Sequence, residues 1–306
     1  MARDFDVLAV GYACIDYIAL VDRLPKLDEK MPVDNLLIQG GGPSATAMVA
    51  AARLGARPAI VTSLADDSLG REIIAELERE GVDVSFTPLR KNGVSAFAFA
   101  MIDRKTGLRT IVGRPAVVEP LTPADLPEDE IRRAKVLFVD GNEPEPQLAA
   151  ATIARRAGVP VIFDAGNEKP GMEELIPLTD VLIASHGFGR DVGGSEDPAK
   201  AAAAFFARGG LTVAAVTAGV DGAYFHPKEG AFHQPAFKVK VVDTTGAGDA
   251  FHGAYAYAMV RGWEPRRSAE FAAAVAAMKC TKLGGRTGLP RLAEVEEFLK
   301  ARSGRR

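Results

Sequence analysis

The chain is predicted to be an α/β protein, a mostly parallel sheet sandwiched by helices with a small β-sheet lid. Three observations predict it. From Lys135 onward, short apolar runs alternate with Ala-rich segments of helical spacing, the pattern of repeated β–α units. The strand runs are apolar at nearly every position, as in strands covered on both faces. Two further β segments, Val94 to Ile102 and Leu108 to Val112, stand outside that alternation. They are joined by Asp103-Arg104-Lys105-Thr106-Gly107, whose closing glycine marks a hairpin.

Taken in order, Phe5 to Val10 is a buried strand ending at Gly11, and Tyr12 to Val21 is a β-rich run interrupted by Asp16. Asp22 to Gln39 is polar and Pro-punctuated, so it reads as an exposed arm or hairpin. Gly40-Gly41-Gly42-Pro43 opens a helix over Ser44 to Leu54, and Gly55 stops it. Arg57 to Leu64 is a strand and Ser68 to Glu80 a helix ended by Gly81. Beyond the hairpin come strands Val136 to Val139, Val159 to Phe163, Val181 to Ala184 and Thr212 to Val216. Helices Gln147 to Ala157 and Pro198 to Ala207 alternate with them. Thr217 to Gly222 is a turn, and Ala223 to Phe225 and an arm from Phe232 to Val242 follow. Glu270 to Cys280 and Leu292 to Ala301 are the last helices.

Apolar content of 47%, charged content of 25% and a net charge of −3 are those of an ordinary globular protein with no nucleic-acid or anionic-membrane surface. No apolar run approaches the roughly 20 residues that span a bilayer, and acidic residues precede the first apolar run, unlike a signal peptide. The one basic cluster, Arg302 to Arg306, reads as a frayed end. Cys14 and Cys280 lie in apolar contexts and read as free buried thiols of a reducing cytosol. His186, His226, His233 and His252 have no metal-ligand spacing. The expectation is one cytoplasmic domain over 1–306, with the lid formed by about 13–39 and 93–115.

The chemistry concentrates at Val239 to Met259. A β-branched run, Val239, Val241 and Val242, ends at Asp243; Thr244 and Thr245 lead into Gly246-Ala247-Gly248-Asp249, and a helix follows. Such a junction aims backbone N–H groups and the positive end of a helix dipole into one space. Those groups suit a phosphoryl group carrying transition-state charge, and Asp249 suits proton removal from an attacking hydroxyl. Asp16, Gly41, Asn142, Gly219 and Asp249 all read as following strands, which places them along one sheet edge. No GxxxxGK[ST] occurs, and the lone Gly11 is not a dinucleotide fingerprint.

DTTGAGD at 243–249 is the signature of the ribokinase-like (PfkB) carbohydrate kinases, and the chain resembles that family over its whole length. GGGPSAT at 40–46 and the aspartate of GYACID at Asp16 match in order. The resemblance implies ATP as phosphoryl donor with Mg²⁺, Asp249 as base, and Gly246, Ala247 and Gly248 as the anion hole. It makes Asp16, Gly41, Gly42 and Thr46 sugar contacts, and Ser185 and Thr217 to Gly222, with Gly219 and Gly222, the nucleotide loop. Many members bind a monovalent cation, K⁺, near the positions of Asp243 and Thr245. Residue chemistry agrees, because Asp16 accepts two hydroxyls at once and Gly41 and Gly42 admit a sugar against the backbone.

Within the family the blocks at 40–56, 234–254 and 276–290 are similar to the branch that phosphorylates 6-deoxy-6-sulfofructose. Lys30 matches a sulfonate-reading lysine there. Gly113 and Asn142 stand where that branch has asparagine and arginine, and Arg114 lies one position away. Where many members carry Asn-x-x-Glu, this chain has Ser185-His186-Gly187-Phe188, so Mg²⁺ is expected on nucleotide and water, with His186 in a loop. The expected substrate is a ketose or related sugar, with a nucleoside kinase or a non-catalytic sugar-binding protein as alternatives. Phe97, Phe99 and Met101 read as lid packing or dimer contact, giving a homodimer through the lid. Trp263 reads as helix-end packing, and Lys279 and Lys282 as solvated.

Overall fold

The computed structural model describes residues 4–303; of the basic tail, 304–306 lie outside them. The chain opens with β1 (Val7–Val10), β2 (Cys14–Val21), β3 (Leu36–Gly41) and α1 (Pro43–Arg53). Next come β4 (Pro58–Val61), β5 (Leu64–Ala65), α2 (Ser68–Arg79) and β6 (Leu89–Arg90). The hairpin is β7 (Phe97–Asp103) and β8 (Arg109–Arg114). Then follow α3 (Glu128–Arg133), β9 (Val136–Val139), α4 (Pro144–Ala157), β10 (Val161–Ala165), β11 (Val181–Ser185), α5 (His186–Asp191) and α6 (Pro198–Ala207). The last part holds β12 (Val213–Thr217), β13 (Ala223–Pro227), β14 (Phe232–Gln234), α7 (Ala247–Val260), α8 (Pro265–Lys279) and α9 (Leu292–Ser303).

Eight strands form the main sheet in the order β14-β13-β12-β11-β10-β9-β1-β4. Every pairing is parallel except those of β12 with β13 and β13 with β14. Successive strand residues point to opposite faces, so Val7, Ala9, Phe138 and Ile183 enter one core with α1, α7 and α8. Leu8, Val10, Leu137 and Leu182 enter the other, with α4 and α6. This is why the strands read as continuous apolar runs.

A separate four-stranded sheet has the order β3-β2-β7-β8, with β2 and β7 parallel. Ile18, Ala100 and Ile102 of its inner face form a small core with Leu37 and Leu283. On the other face Ile38, Tyr17, Phe99 and Val112 lie in one register row, and Ile38 and Val112 are more than half exposed.

The structure differs from the sequence reading at several elements. Asp16 does not follow a strand; it lies inside β2, on the small sheet. The polar arm contributes its last residues, 36–41, as edge strand β3. The β-branched run at 239–242 forms no strand, because its N–H groups go elsewhere: that of Val242 bonds the Cys280 carbonyl at 2.8 Å. Helices α4 and α8 start earlier than read, each on a proline in its first turn, where the missing N–H costs nothing. Residues 186–191 are a short helix rather than a loop, capped by the Ser185 hydroxyl, which accepts the Phe188 N–H at 3.0 Å.

Candidate active site

Gly246 caps α7 with φ 73°, in the left-handed region, and a Cβ there would meet Gly285 Cα at 2.9 Å. Only glycine makes this turn without strain. The Ala247 N–H turns back to the Thr244 carbonyl at 3.2 Å. The N–H groups of Gly248 and Asp249 lie in the first turn, where a helix offers them no acceptor. Nothing stands within 4 Å of where a Gly248 side chain would project. The positive end of α7 therefore faces open space, with the half-buried Asp249 in the same turn. Packing around its carboxyl raises the Asp249 pKa, opposed first by His252 and then by Arg109 and Lys279. His252 secures that turn: Nδ1 faces the Gly248 carbonyl at 2.6 Å, and Nε2 faces the Ile183 carbonyl at 3.1 Å and Asp164 at 3.3 Å.

The loop entering α7 is held from below. Asp243 is fully buried, and its carboxylate accepts the N–H groups of Thr245 and Gly284, each at 2.7 Å. Its carbonyl accepts from Lys279 Nζ at 2.9 Å. Lys279 is 0% exposed, so the expectation of a solvated lysine is overturned. The end of α8 lies beneath this loop, a placement that helical periodicity cannot reveal. Lys282 is exposed, as read.

Asp16 projects from the inner face of the small sheet and is 9% exposed. Burial pushes its carboxyl up to about 6, opposed by the Cys14 thiol, which donates to it at 3.3 Å, and by Arg286. The charge of Asp249 adds to the upward push, so the two carboxylates share one electrostatic site. Gly41 is required beside it, since a Cβ there would fall 2.2 Å from the Asp16 carboxylate. Gly42 caps α1 next to it. Thr46 is buried behind this glycine run and its hydroxyl takes the Arg286 Nε–H at 3.3 Å, so it braces the wall rather than facing the cleft.

Ser185 and Thr217 end the neighbouring strands β11 and β12 in register. Ser185 donates to the Gly166 carbonyl at 2.6 Å and Thr217 to the Ala184 carbonyl at 3.3 Å. Gly219 and Gly222 bound the tight turn that follows, closed by the Ala218 N–H donating to the Gly222 carbonyl at 2.7 Å. These four residues form one rim of the main sheet. Lys30 lies apart, exposed in the connection between β2 and β3. Arg114 is engaged by its own sheet, donating to the Ser95 carbonyl at 3.3 Å and lying 5.1 Å over the Phe97 ring. Asn142 lines a cavity of about 380 Å³ with Tyr12, Ser63, Glu143 and Lys169, and its amide oxygen accepts from Lys169 Nζ.

Sequence reasoning missed four residues here. Asp140 binds the Tyr12 N–H at 2.7 Å, the Ser44 hydroxyl at 2.7 Å and Gln147 at 2.9 Å, tying β1, α1 and α4 at one point. Its only signal was a carboxylate directly after a buried strand. Arg286, 2% exposed, donates to the Gly41 carbonyl at 3.0 Å and to Glu76 at 3.2 Å. Arg109 reaches from the hairpin to the Thr244 hydroxyl at 3.2 Å. The Lys169 contact joins segments 27 residues apart.

A helix N-terminus open to an anion, a carboxylate in its first turn and a second carboxylate on a separate sheet define a group-transfer site of the phosphoryl-kinase class. The chain belongs to the pfkB family carbohydrate kinases, whose family model matches residues 4–292. It is 30% identical over 299 residues to the ATP-dependent ribose-1-phosphate kinase of Halopiger xanaduensis, covering 97% of this chain and 98% of that one. A crystal structure of a putative ribokinase from Agrobacterium tumefaciens superposes with a TM-score of 0.93 at 30% identity, over 99% of this chain and 100% of that one. The Arabidopsis thaliana ribokinase complexed with ribose and ATP gives 0.84 at 26% identity, over 97% and 99% of the two chains. No helix among the described residues is long and apolar enough to cross a membrane.

Proposed function

We propose that the protein is an ATP-dependent kinase that moves the γ-phosphoryl group of ATP to a primary hydroxyl of a ketose or related sugar. The observation that carries this is Asp249 in the first turn of α7, whose N-terminus faces open space; Asp16, buried beside Gly41 on the small sheet, supports it as the acceptor contact. Asp16 accepts hydroxyls of the acceptor and, with the backbone at Gly41 and Gly42, sets one hydroxyl toward Asp249. Asp249 takes the proton as the sugar oxygen bonds phosphorus and the bond to ADP breaks. Of the 246–248 turn, the Gly248 N–H, with that of Asp249 beside it and the helix dipole, stabilises the charge on the phosphoryl oxygens, since the Ala247 N–H is bonded to the Thr244 carbonyl. The rim of Ser185, Thr217, Gly219 and Gly222 receives the nucleotide.

Mg²⁺ bound with ATP would supply charge neutralisation on the phosphate oxygens. Where many family members carry Asn-x-x-Glu this chain has Ser185-His186-Gly187-Phe188, so the metal would be held chiefly by the nucleotide and water. In the cavity that Asn142 lines with Tyr12 and Lys169, Lys169 on Asn142 restores a cation where the sulfosugar branch has arginine. This supports a sugar with an anionic end group, 6-deoxy-6-sulfofructose among them. Lys30 and Arg114 join that recognition only if the small sheet closes further. The small sheet then acts as a lid, and its apolar outer face pairs two copies as a homodimer.

An ADP-release screen tests the reading with sulfofructose, fructose 6-phosphate, ribose 1-phosphate, fructose, ribose and 2-keto-3-deoxygluconate. The expected result is sugar-dependent ADP release with an anionic sugar preferred. Release with no sugar, or adenosine outcompeting every sugar, would overturn it.

A further inference from the structure

The loop that delivers Thr244 to Asp249 into the site is where the family resemblance calls for a monovalent cation, and the donors present do not fit one. A dehydrated K⁺ is held by a shell of oxygens that replaces its water. Here both carboxylate oxygens of Asp243 are taken up by the N–H groups of Thr245 and Gly284. The Asp243 carbonyl is taken up by the ammonium of Lys279 at 2.9 Å. Thr245 Oγ1, buried and without a partner, is the one hydroxyl left, and a lone hydroxyl does not make a cation site. An ion on these oxygens would also sit beside a fully buried ammonium, and Asp243, already hydrogen-bonded through both carboxylate oxygens, would have to offset both charges.

We infer that Lys279 is a built-in cation: its ammonium holds the loop entering α7, so the protein needs no K⁺ there. Three observations agree. Lys279 is 0% exposed at the last residue of α8. Its ammonium hydrogen-bonds the carbonyl of the loop residue whose carboxylate ties both sides of the turn, Thr245 and Gly284. Its charge also reaches Asp249, whose carboxyl it lowers. Lys279 is thus a positioning residue, acting through Asp243 on the anion hole, and a covalently tethered cation requires no binding equilibrium to be present.

The test compares melting temperature, which needs no substrate and so stands apart from the kinase reading, with turnover. Both are measured in KCl and in choline chloride at equal ionic strength. Wild type is expected to show the same melting temperature and kcat in the two salts. Lys279→Ala, which opens space for an ion, is expected to lose about tenfold or more in kcat. KCl but not choline chloride should then restore part of both melting temperature and turnover. Lys279→Arg keeps the charge and should remain indifferent to K⁺. A saturable rise of the wild-type melting temperature with KCl would overturn the inference, even if Lys279→Ala does not fold. So would a Lys279→Ala protein with wild-type kcat in choline chloride.

Discussion

At the proposed phosphoryl end of the cleft the working groups are main-chain N–H groups and one carboxylate, set in the first turn of a helix seated on the eight-stranded sheet. At the acceptor end they are side chains on a four-stranded sheet whose own core is Ile18, Ala100 and Ile102. The first region is anchored by buried groups on every side: Asp243, Lys279, His252 and Asp164. The second has an exposed apolar outer face and a fully exposed edge strand, β8. On the proposed reading, the phosphoryl chemistry rests on backbone that a substitution cannot easily move, and sugar selectivity on side chains of a sheet that tolerates exchange.

Asp249→Asn is the largest test of this division. It should lower kcat by about 10²–10⁴, the usual general-base contribution, while circular dichroism, melting temperature and sugar KM stay near wild type. Near-normal turnover would remove Asp249 from the chemistry. Arg286 tests whether the two ends are mechanically joined, since it links Gly41 and Thr46 to Glu76 from the loop after α8. Arg286→Met leaves the half-buried Glu76 with the Gly40 N–H as its remaining partner and should cost about 1–3 kcal/mol in denaturant unfolding. Adding Glu76→Gln should recover part of that loss.

Asp16→Asn should raise the sugar KM about 10- to 100-fold, the worth of hydrogen bonds to a charged acceptor, with kcat changed far less. Stability should move the other way. A carboxyl whose folded pKa is about 6 against an ordinary 3.8 costs nothing below pH 4. It destabilises increasingly as pH rises through that window, by at most about 3 kcal/mol above it. The asparagine variant should therefore melt higher than wild type at pH 7 and lose that advantage near pH 4. For the same reason wild-type KM should rise as pH falls below about 6 and Asp16 gains its proton. A flat KM between pH 5 and 7 would take the sugar contact away from Asp16. The smallest expected effect is at the outer face: if the proposed dimer forms there, Val112→Glu should convert it to a monomer by light scattering while changing monomer stability by about 0.5 kcal/mol or less.

Much of this was legible beforehand. The Gly246 turn, the helix after it and the role-suited Asp249 follow from local chemistry, because φ 73° and a first-turn carboxylate are written in consecutive residues. Asp16 was legible as a residue type but was misplaced after a strand, since alternation inside a half-buried strand looks like interruption when read alone. Lys279 was misread outright, because its burial depends on a loop that lies 36 residues earlier in the chain.

The sequence by itself determined the α/β class, the family and the anion-binding turn. Each rests on short-range periodicity or on contiguous residues whose backbone needs are local. The tertiary structure alone decided that Asp16 is buried on the small sheet, that Arg286 joins Gly41 and Thr46, and that Lys169 meets Asn142. It also decided that an ammonium lies under the anion hole. Those are contacts between segments distant in the chain, and a charge has no partner and no desolvation cost until folding brings the other group beside it.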